Sequence, residues 1–254
     1  MNKLSVVIEE GKVVTLGNAK SIDAKVYDIP LDLDTLTIEQ AMLVYDYINE
    51  NATDEYRNFM SGSDAPSKKA WSSDLKKYSE LVCGVIAEIT GIPQEAFAAL
   101  SLRHQRVFCD VFELQIIRPL YMLGVYQPRN IREFEFEGVK YLLPKFTSDG
   151  FGGLLPMAEE TTEAFAESND LYMALDNPYQ ALPLIIAILC RPEGEQYDEL
   201  KARERAELFK GLPCSVAFEV FFCKLTQIGI MATFIQNALE EIAEKERGHQ
   251  QAQQ

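Results

Sequence analysis

From Leu75 onward, apolar side chains recur at three- and four-residue steps: Leu75, Tyr78, Leu81, Val82, Val85, Ile86 and Ile89. That period places them on one face of a helix. Gly91 stands where such a helix stops, Pro93 opens the next turn, and "QEAFAAL" predicts a short helix. "SLRHQRVFCDVFELQIIRPLYMLG" predicts a longer one, with Ser101 as its cap and Pro119 as a kink or end. Upstream, "LSVVIEE" and "KVVTL" are short β-rich runs about a Gly11 turn and predict a hairpin. Pro30 and the spaced Asp28, Asp32 and Asp34 mark a loop. Thr37 then caps a helix running to about Asn49, and a second short helix holds Tyr56 and Phe59. "SGSDAPSKKAWSS" reads as a mobile loop or helix entrance.

The period changes in the middle of the chain. "REFEFEGVKYLLP" alternates polar and apolar residues about Glu137-Gly138, which predicts a β-hairpin over residues 132–144. "KFTSDGFGGLLP" is a glycine-rich connector leading to "MAEETTEAFAESNDLYMAL". An apolar slab at 182–190 stops at Arg191-Pro192-Glu193-Gly194, a corner. A charged helix from about Tyr197 to Lys210 follows, and beyond Pro213 a long helix runs from about Cys214 to Lys245 before a polar tail. These elements predict a mainly α protein with a small β component (α+β), its helical halves flanking the central hairpin. The organisation expected is a β-hairpin plus helical region at 1–130, then the central hairpin and a C-terminal helical region at 131–254. No fixed-period repeat points to a solenoid.

Composition narrows the class. The 254 residues are 47% hydrophobic and 25% charged, ordinary for a folded chain. The 24 basic and 39 acidic residues give a net charge of −15, which argues against a generic nucleic-acid surface, because phosphate is held by Lys and Arg. Cys83, Cys109, Cys190, Cys214 and Cys223 are odd in number and lack a CxxC pair, so they read as buried free thiols in a reducing compartment. "MNKLSVVIEEGK" reaches acidic residues too soon for a signal-peptide core. The longest apolar region contains Glu219, Lys224 and Gln227, so no membrane span is expected and the chain reads as made in the cytoplasm.

Catalytic chemistry is hard to find. The two histidines, His104 and His249, have no metal-ligand spacing around them, and neither a metal nor a cofactor is expected. "DGFGG" lacks the Lys-Ser/Thr of a phosphate cradle. "DIPLDLDTLTIE" has Leu33 where a calcium loop needs glycine, leaving Asp28, Asp32 and Asp34 as turn and cap residues. An enzyme built on Glu159, Glu160 and Asp170 has no spacing in its favour. The charged helix is more informative. Glu199–Arg203 is an acid-to-base pair four residues apart and Asp198–Lys201 one three apart, suited to a solvated face or to an interface whose charge order sets register. In the last helix Val220, Phe221, Leu225, Ile228, Met231 and Ile235 form a stripe that Phe218, Phe222 and Phe234 widen. Core and subunit interface compete for that stripe. The candidate interface residues are Glu199, Arg203, Phe218, Phe221, Phe222, Leu225, Ile228, Met231 and Phe234.

Taken in order, "IPLDLDTLTIEQ", "ITGIPQEAFAALSL", "FEFEGVKYLLP" and "ALPLIIAILCRPEGEQYDELKARERAELFKGLPCSVAFEVFF" resemble a family of tailed-bacteriophage virion structural or tail-assembly-chaperone-like proteins, found in phages of the Bacteroidetes and crAss-like group. The resemblance covers roughly residues 29–223 and is strongest over "AILCRPEGEQYD…ER…F…LP". It implies a non-enzymatic structural protein, a ring or connector component at the head–tail junction, with tail assembly chaperone as the alternative. The partners implied are portal, neck or tail proteins and further copies of the chain, in the virion or in the host cytoplasm during assembly. Rings built head to tail need two different complementary patches, for which the charged helix and the aromatic stripe are the candidates.

Overall fold

The computed structural model describes residues 3–9, 12–16, 25–61, 75–98, 102–121, 131–143 and 175–221. Within them the protein is mainly helical with two small antiparallel sheets, the α+β class that the patterning predicts. The first sheet has the order β2-β1-β3, from Lys3–Glu9 (β1), Lys12–Leu16 (β2) and Lys25–Pro30 (β3). The predicted hairpin of β1 and β2 is there, but "KVYDIP" is a strand rather than a loop. It pairs with β1 from Lys3↔Pro30 to Ile8↔Lys25. Pro30 is compatible because it closes an edge strand, where no further ladder donor is needed.

Asp32 then shapes the approach to the first helix, its carboxylate accepting from the Thr35 amide (3.0 Å) and hydroxyl (2.9 Å). Helix α1, Ile38–Asn51, starts at Thr37 as predicted. The Thr37 hydroxyl accepts from the Gln40 amide (3.2 Å), and the Gln40 side chain accepts from the Thr37 amide (3.1 Å). This reciprocal box stabilises a helix start by about 1 kcal/mol. Ile38, Ala41, Val44 and Ile48 form its buried face. Helix α2 is Asp54–Ser61, and α3, Leu75–Thr90, packs on α1. Tyr78, Leu81, Val82, Val85, Ile86 and Ile89 are buried, as their spacing requires. The short α4, Gln94–Ala98, leads to α5, Leu102–Phe112.

Pro119 does not end the helix after α5. The chain widens into a π turn at Glu113–Ile117, where the Arg118 amide donates to the Glu113 carbonyl, and then continues as α6, Arg118–Tyr121. A proline ring inside a helix clashes with the carbonyl four residues back. A wider turn just before Pro119 lets the chain pass it without stopping.

Strands β4, Glu133–Phe136, and β5, Val139–Leu142, form the predicted hairpin. Glu137 (φ 53°) and Gly138 (φ 73°) are its two loop residues, the pair of positive φ values that marks a type I′ turn. The slab is helix α7, Leu182–Leu189, entered through a 3₁₀ turn at Pro178–Gln180. The predicted corner does more than turn the chain: Arg191–Pro192 is a third strand, β6, beside Tyr141 and Leu142. Gly194 (φ 80°) then completes a turn in which the Glu195 amide donates to the Pro192 carbonyl (3.1 Å), the geometry that favours glycine at the third position. Helix α8, Glu199–Phe209, packs on α7, and helix α9 begins at 214 and is described to 221, the rest of the helix expected to run to about Lys245 lying outside the described residues.

One core draws on both regions, from Ile29 through Val85 and Ile117 to Ile186, Phe209 and Phe218. Described residues on both sides of position 130 therefore share this core. Phe209, fully buried, is surrounded edge-on by Tyr141 (5.0 Å between ring centres), Phe134 (6.0 Å) and Phe136 (6.2 Å). Phe209→Ala should lower unfolding free energy by about 3–5 kcal/mol in urea titration. A loss below about 1 kcal/mol would mean that the hairpin is not anchored on α8.

Candidate functional site

Helix α8 has two different faces. Asp198 caps it by accepting from the Lys201 amide (3.0 Å), so the expected Asp198–Lys201 ion pair is replaced by a cap. A carboxylate at that position finds backbone donors and the positive end of the helix closer than any side chain. Ala202, Ala206 and Phe209 face inward. Arg205 shares that side, its side chain only 10% exposed. Its guanidinium donates to the Ala187 carbonyl (3.2 Å), pairs with Glu195, and lies 5.7 Å from the Tyr141 ring centre. Ala187 is in the last turn of α7, where carbonyls lack helical partners. One side chain thus fastens α7, α8, β5 and the turn between β6 and α8.

The outer face of α8 carries Glu199 and Arg203, joined by two hydrogen bonds to Glu199 Oε1 (3.0 and 2.8 Å). Leu200 beside them is 73% exposed, and Leu208 two turns on is 42% exposed.

A second inward charge lies in the π turn. Glu113 is buried, and each of its carboxylate oxygens has a donor: the Tyr78 hydroxyl at Oε2 and Arg118 Nε at Oε1 (2.9 Å). Tyr56 of α2 is buried within electrostatic range of the same carboxylate. Burial, then the hydrogen bond to Glu113 and its charge, push the Tyr78 phenol far above its ordinary pKa. Burial raises Tyr56 in the same way. π turns and buried carboxylates recur at active sites. Here both oxygens are taken by groups from neighbouring elements, which ties α3 and α6 to the π turn.

The outer face of α5 is unusual in the opposite sense. Val107 and Val111, at the i, i+4 spacing of one helix face, are 57% and 44% exposed, and Leu114 in the π turn that follows is 55% exposed. Arg106 and Asp110 flank them as an i, i+4 ion pair (3.7 Å), and Asp110 also lies 3.4 Å from the Tyr78 hydroxyl. Such spacing ordinarily marks a face that is covered.

Of the residues singled out in the sequence, Glu199 and Arg203 stand on the surface of α8. Phe218 and Phe221 are buried in the chain's own core, so they are not available to a partner. Phe222, Leu225, Ile228, Met231, Phe234, His249, Glu159, Glu160 and Asp170 lie outside the described residues, and His104 falls within α5. Cys83, Cys109, Cys190 and Cys214 are buried thiols outside any disulfide, and Cys223 lies outside the described residues. Among the described residues no helix is long and apolar enough to cross a membrane, and no three His, Cys, Asp or Glu residues are grouped to hold a metal. Glu113, Arg205 and the α5 face were not identified from sequence. The available signals were an acid inside the apolar run "VFELQII" and an arginine in helical phase with Ala202 and Phe209. No family model matches the chain, and no curated protein or solved structure matches it.

Arg205→Met leaves Glu195 and the Ala187 carbonyl without their cation, and a loss of about 3 kcal/mol in denaturant unfolding is expected. A neutral result would show that the guanidinium is dispensable to the α7–α8 joint. The raised tyrosines stay protonated in the fold while the unfolded chain ionises near pH 10. Stability is therefore complete below that pH and falls as pH rises through it. Tyr78→Phe should remove up to about 1.4 kcal/mol per pH unit from that alkaline slope, read from urea midpoints between pH 9 and 11. An unchanged slope would place the Tyr78 hydroxyl in contact with water.

Proposed function

We propose that this chain is a non-enzymatic structural protein of tailed-bacteriophage particles, a ring or connector component of the head–tail region or another virion component. The observation that carries the reading is the α7–β6–α8 unit. The stretch of strongest resemblance, "AILCRPEGEQYD…ER…F…LP", coincides with the residues that hold this unit together. Arg191 and Pro192 form β6, Gly194 makes the turn, and Asp198 caps α8. Arg205 ties α8 to α7 and to Glu195, Phe209 anchors the hairpin, and the Leu212 carbonyl accepts from Ile38. Every role in that motif is mechanical, as suits a protein whose work is to be a rigid part among other parts. Its net charge of −15 suits solubility of the free subunit before assembly. Its partners are portal, neck or tail proteins, and it resides in the virion after passing through the host cytoplasm.

Mass spectrometry of purified infectious particles, calibrated to the major capsid protein, tests this. A fixed copy number on the order of one ring per particle is expected. Abundance in infected cells with absence from particles would overturn it and leave a tail assembly chaperone in its place.

A further inference from the structure

We infer that Cys83 and Cys109 are a latent cross-link: an oxidant of the peroxide class joins their sulfurs in a disulfide that ties α3 to α5. This goes beyond the structural reading above and does not depend on it, because the chemistry belongs to the fold whatever the chain assembles into.

Helix packing brings the two thiols together. α3 and α5 are in contact, and the Tyr78 hydroxyl fixes their register on Asp110 (3.4 Å) and Glu113. Just over one turn forward from Tyr78 along α3 stands Cys83, and one turn back from Glu113 along α5 stands Cys109. The helices run in opposite directions, so these positions meet. The contact is direct. The Cys109 thiol donates a hydrogen bond to the Cys83 sulfur and accepts one from the hydroxyl of Ser79, one turn before Cys83 on the same helix. Cys109 therefore seats its sulfur between Ser79 and Cys83. With Cys83 6% exposed and Cys109 0%, a bond between them closes within one chain and not between two. Cys214, by contrast, has its thiol beside the Thr37 carbonyl.

The same hydrogen bond sets the order of events. It lowers the pKa of Cys83 and, together with burial, raises that of Cys109, so Cys83 ionises first. The Cys83 thiolate attacks one peroxide oxygen, the O–O bond breaks, and the departing hydroxide takes up a proton as water. The sulfenic acid so formed lies against Cys109. The Cys109 sulfur displaces the hydroxyl from Cys83: the S–S bond forms, the S–O bond breaks, and the Cys109 proton leaves with the hydroxyl as a second water. Two thiols and one peroxide thus give one disulfide and two waters. Because the second thiol is already in contact, this step outpaces further oxidation of the sulfenic acid. In a reducing compartment the pair stays as thiols, and in an oxidising one it closes.

The test treats the reduced full chain, freed of reductant, with a slight excess of hydrogen peroxide, then maps its cysteines by alkylation and peptide mass spectrometry. Trypsin cuts after Arg103 and Arg106 and so separates Cys83 from Cys109, which makes the link visible as two joined peptides. The expected product is a monomer linked at Cys83–Cys109, with the other three cysteines still open to alkylation after unfolding. Closing that loop should raise Tm by about 5–10 °C, and dithiothreitol should reverse the rise. Cys109→Ser should show no such rise and should hold Cys83 as a sulfenic acid that dimedone captures. The inference is overturned if both thiols survive a dose that oxidises an equal concentration of glutathione. A link between chains, a link between another pair, or separate conversion of Cys83 and Cys109 to sulfinic acids overturns it equally. The wild-type link is read directly, so the test is complete even if Cys109→Ser does not fold. None of these outcomes bears on whether the chain is present in particles, which decides the structural reading.

Discussion

The fold depends on a reciprocal exchange of backbone hydrogen bonds between residues 33–39 and 210–215. The first amides of α1, on Ile38 and Glu39, donate to the carbonyls of Leu212 (3.0 Å) and Lys210 (2.9 Å). In return, the Cys214 and Ser215 amides at the start of α9 donate to the carbonyls of Leu36 (2.8 Å) and Leu33 (3.0 Å). A helix begins with amides that have no partner of their own, and burying them unpaired costs about 1–3 kcal/mol each. Each segment satisfies this need for the other, across some 175 residues of chain. Neither α1 nor α9 can start properly without its counterpart. The Cys214 thiol, fully buried beside the Thr37 carbonyl (3.2 Å), seals the same joint, and burial pushes its pKa well up, keeping it protonated. The region after the hairpin is thereby made continuous with the region before it.

A second constraint follows from α7. Its eight residues are almost wholly apolar and buried, so they must be covered on several sides. Helix α8 covers one side, and the turn of Tyr179 and Asn177 links another to α1. There the Asn177 amide group donates to the Met42 carbonyl (3.1 Å) and to Asp46 (2.8 Å). β6 extends the exit of α7 into the hairpin sheet, so the end of the slab is paired rather than left open. The corner at 191–194 is short because the strand, the turn and the cap of α8 leave no slack. The hairpin is held in turn by Phe209, so β4, β5, α7 and α8 form one mechanical block.

Much of this was legible in local sequence, for reasons that are themselves local. Thr37 with Gln40, Glu137-Gly138, and the 75–89 stripe act within a turn or two of chain, where spacing decides the outcome. Strand β3 was not legible, because its pairing with β1 is set by a partner some twenty residues away while Pro30 and the aspartates suggest a loop. The π turn was not legible and Pro119 was read as a kink or an end, since a proline states only that the ordinary ladder cannot continue. Asp198 was assigned to the wrong partner because spacing shows Lys201 as a side chain and conceals its amide. The core residues Phe218 and Phe221 looked the same as an interface, since apolar spacing records coverage without saying what provides it.

Two charges and a few apolar side chains reverse the usual assignment of charge outward and apolar inward. Glu113 and Arg205 point in, and each is held by groups from other elements: Glu113 by Tyr78 and Arg118, Arg205 by Glu195 and the Ala187 carbonyl. A buried charge costs stability unless such partners meet it, and once met it fixes its surroundings. Val107, Val111, Leu114, Leu200 and Leu208 point out, where exposure forgoes roughly 1–2 kcal/mol apiece that burial contributes. The two departures lie on the same stretches of chain. Arg205 stands on the inner side of α8 and Glu113 at the end of α5, so the segments that carry exposed apolar residues are the ones whose inner sides are tied by charge.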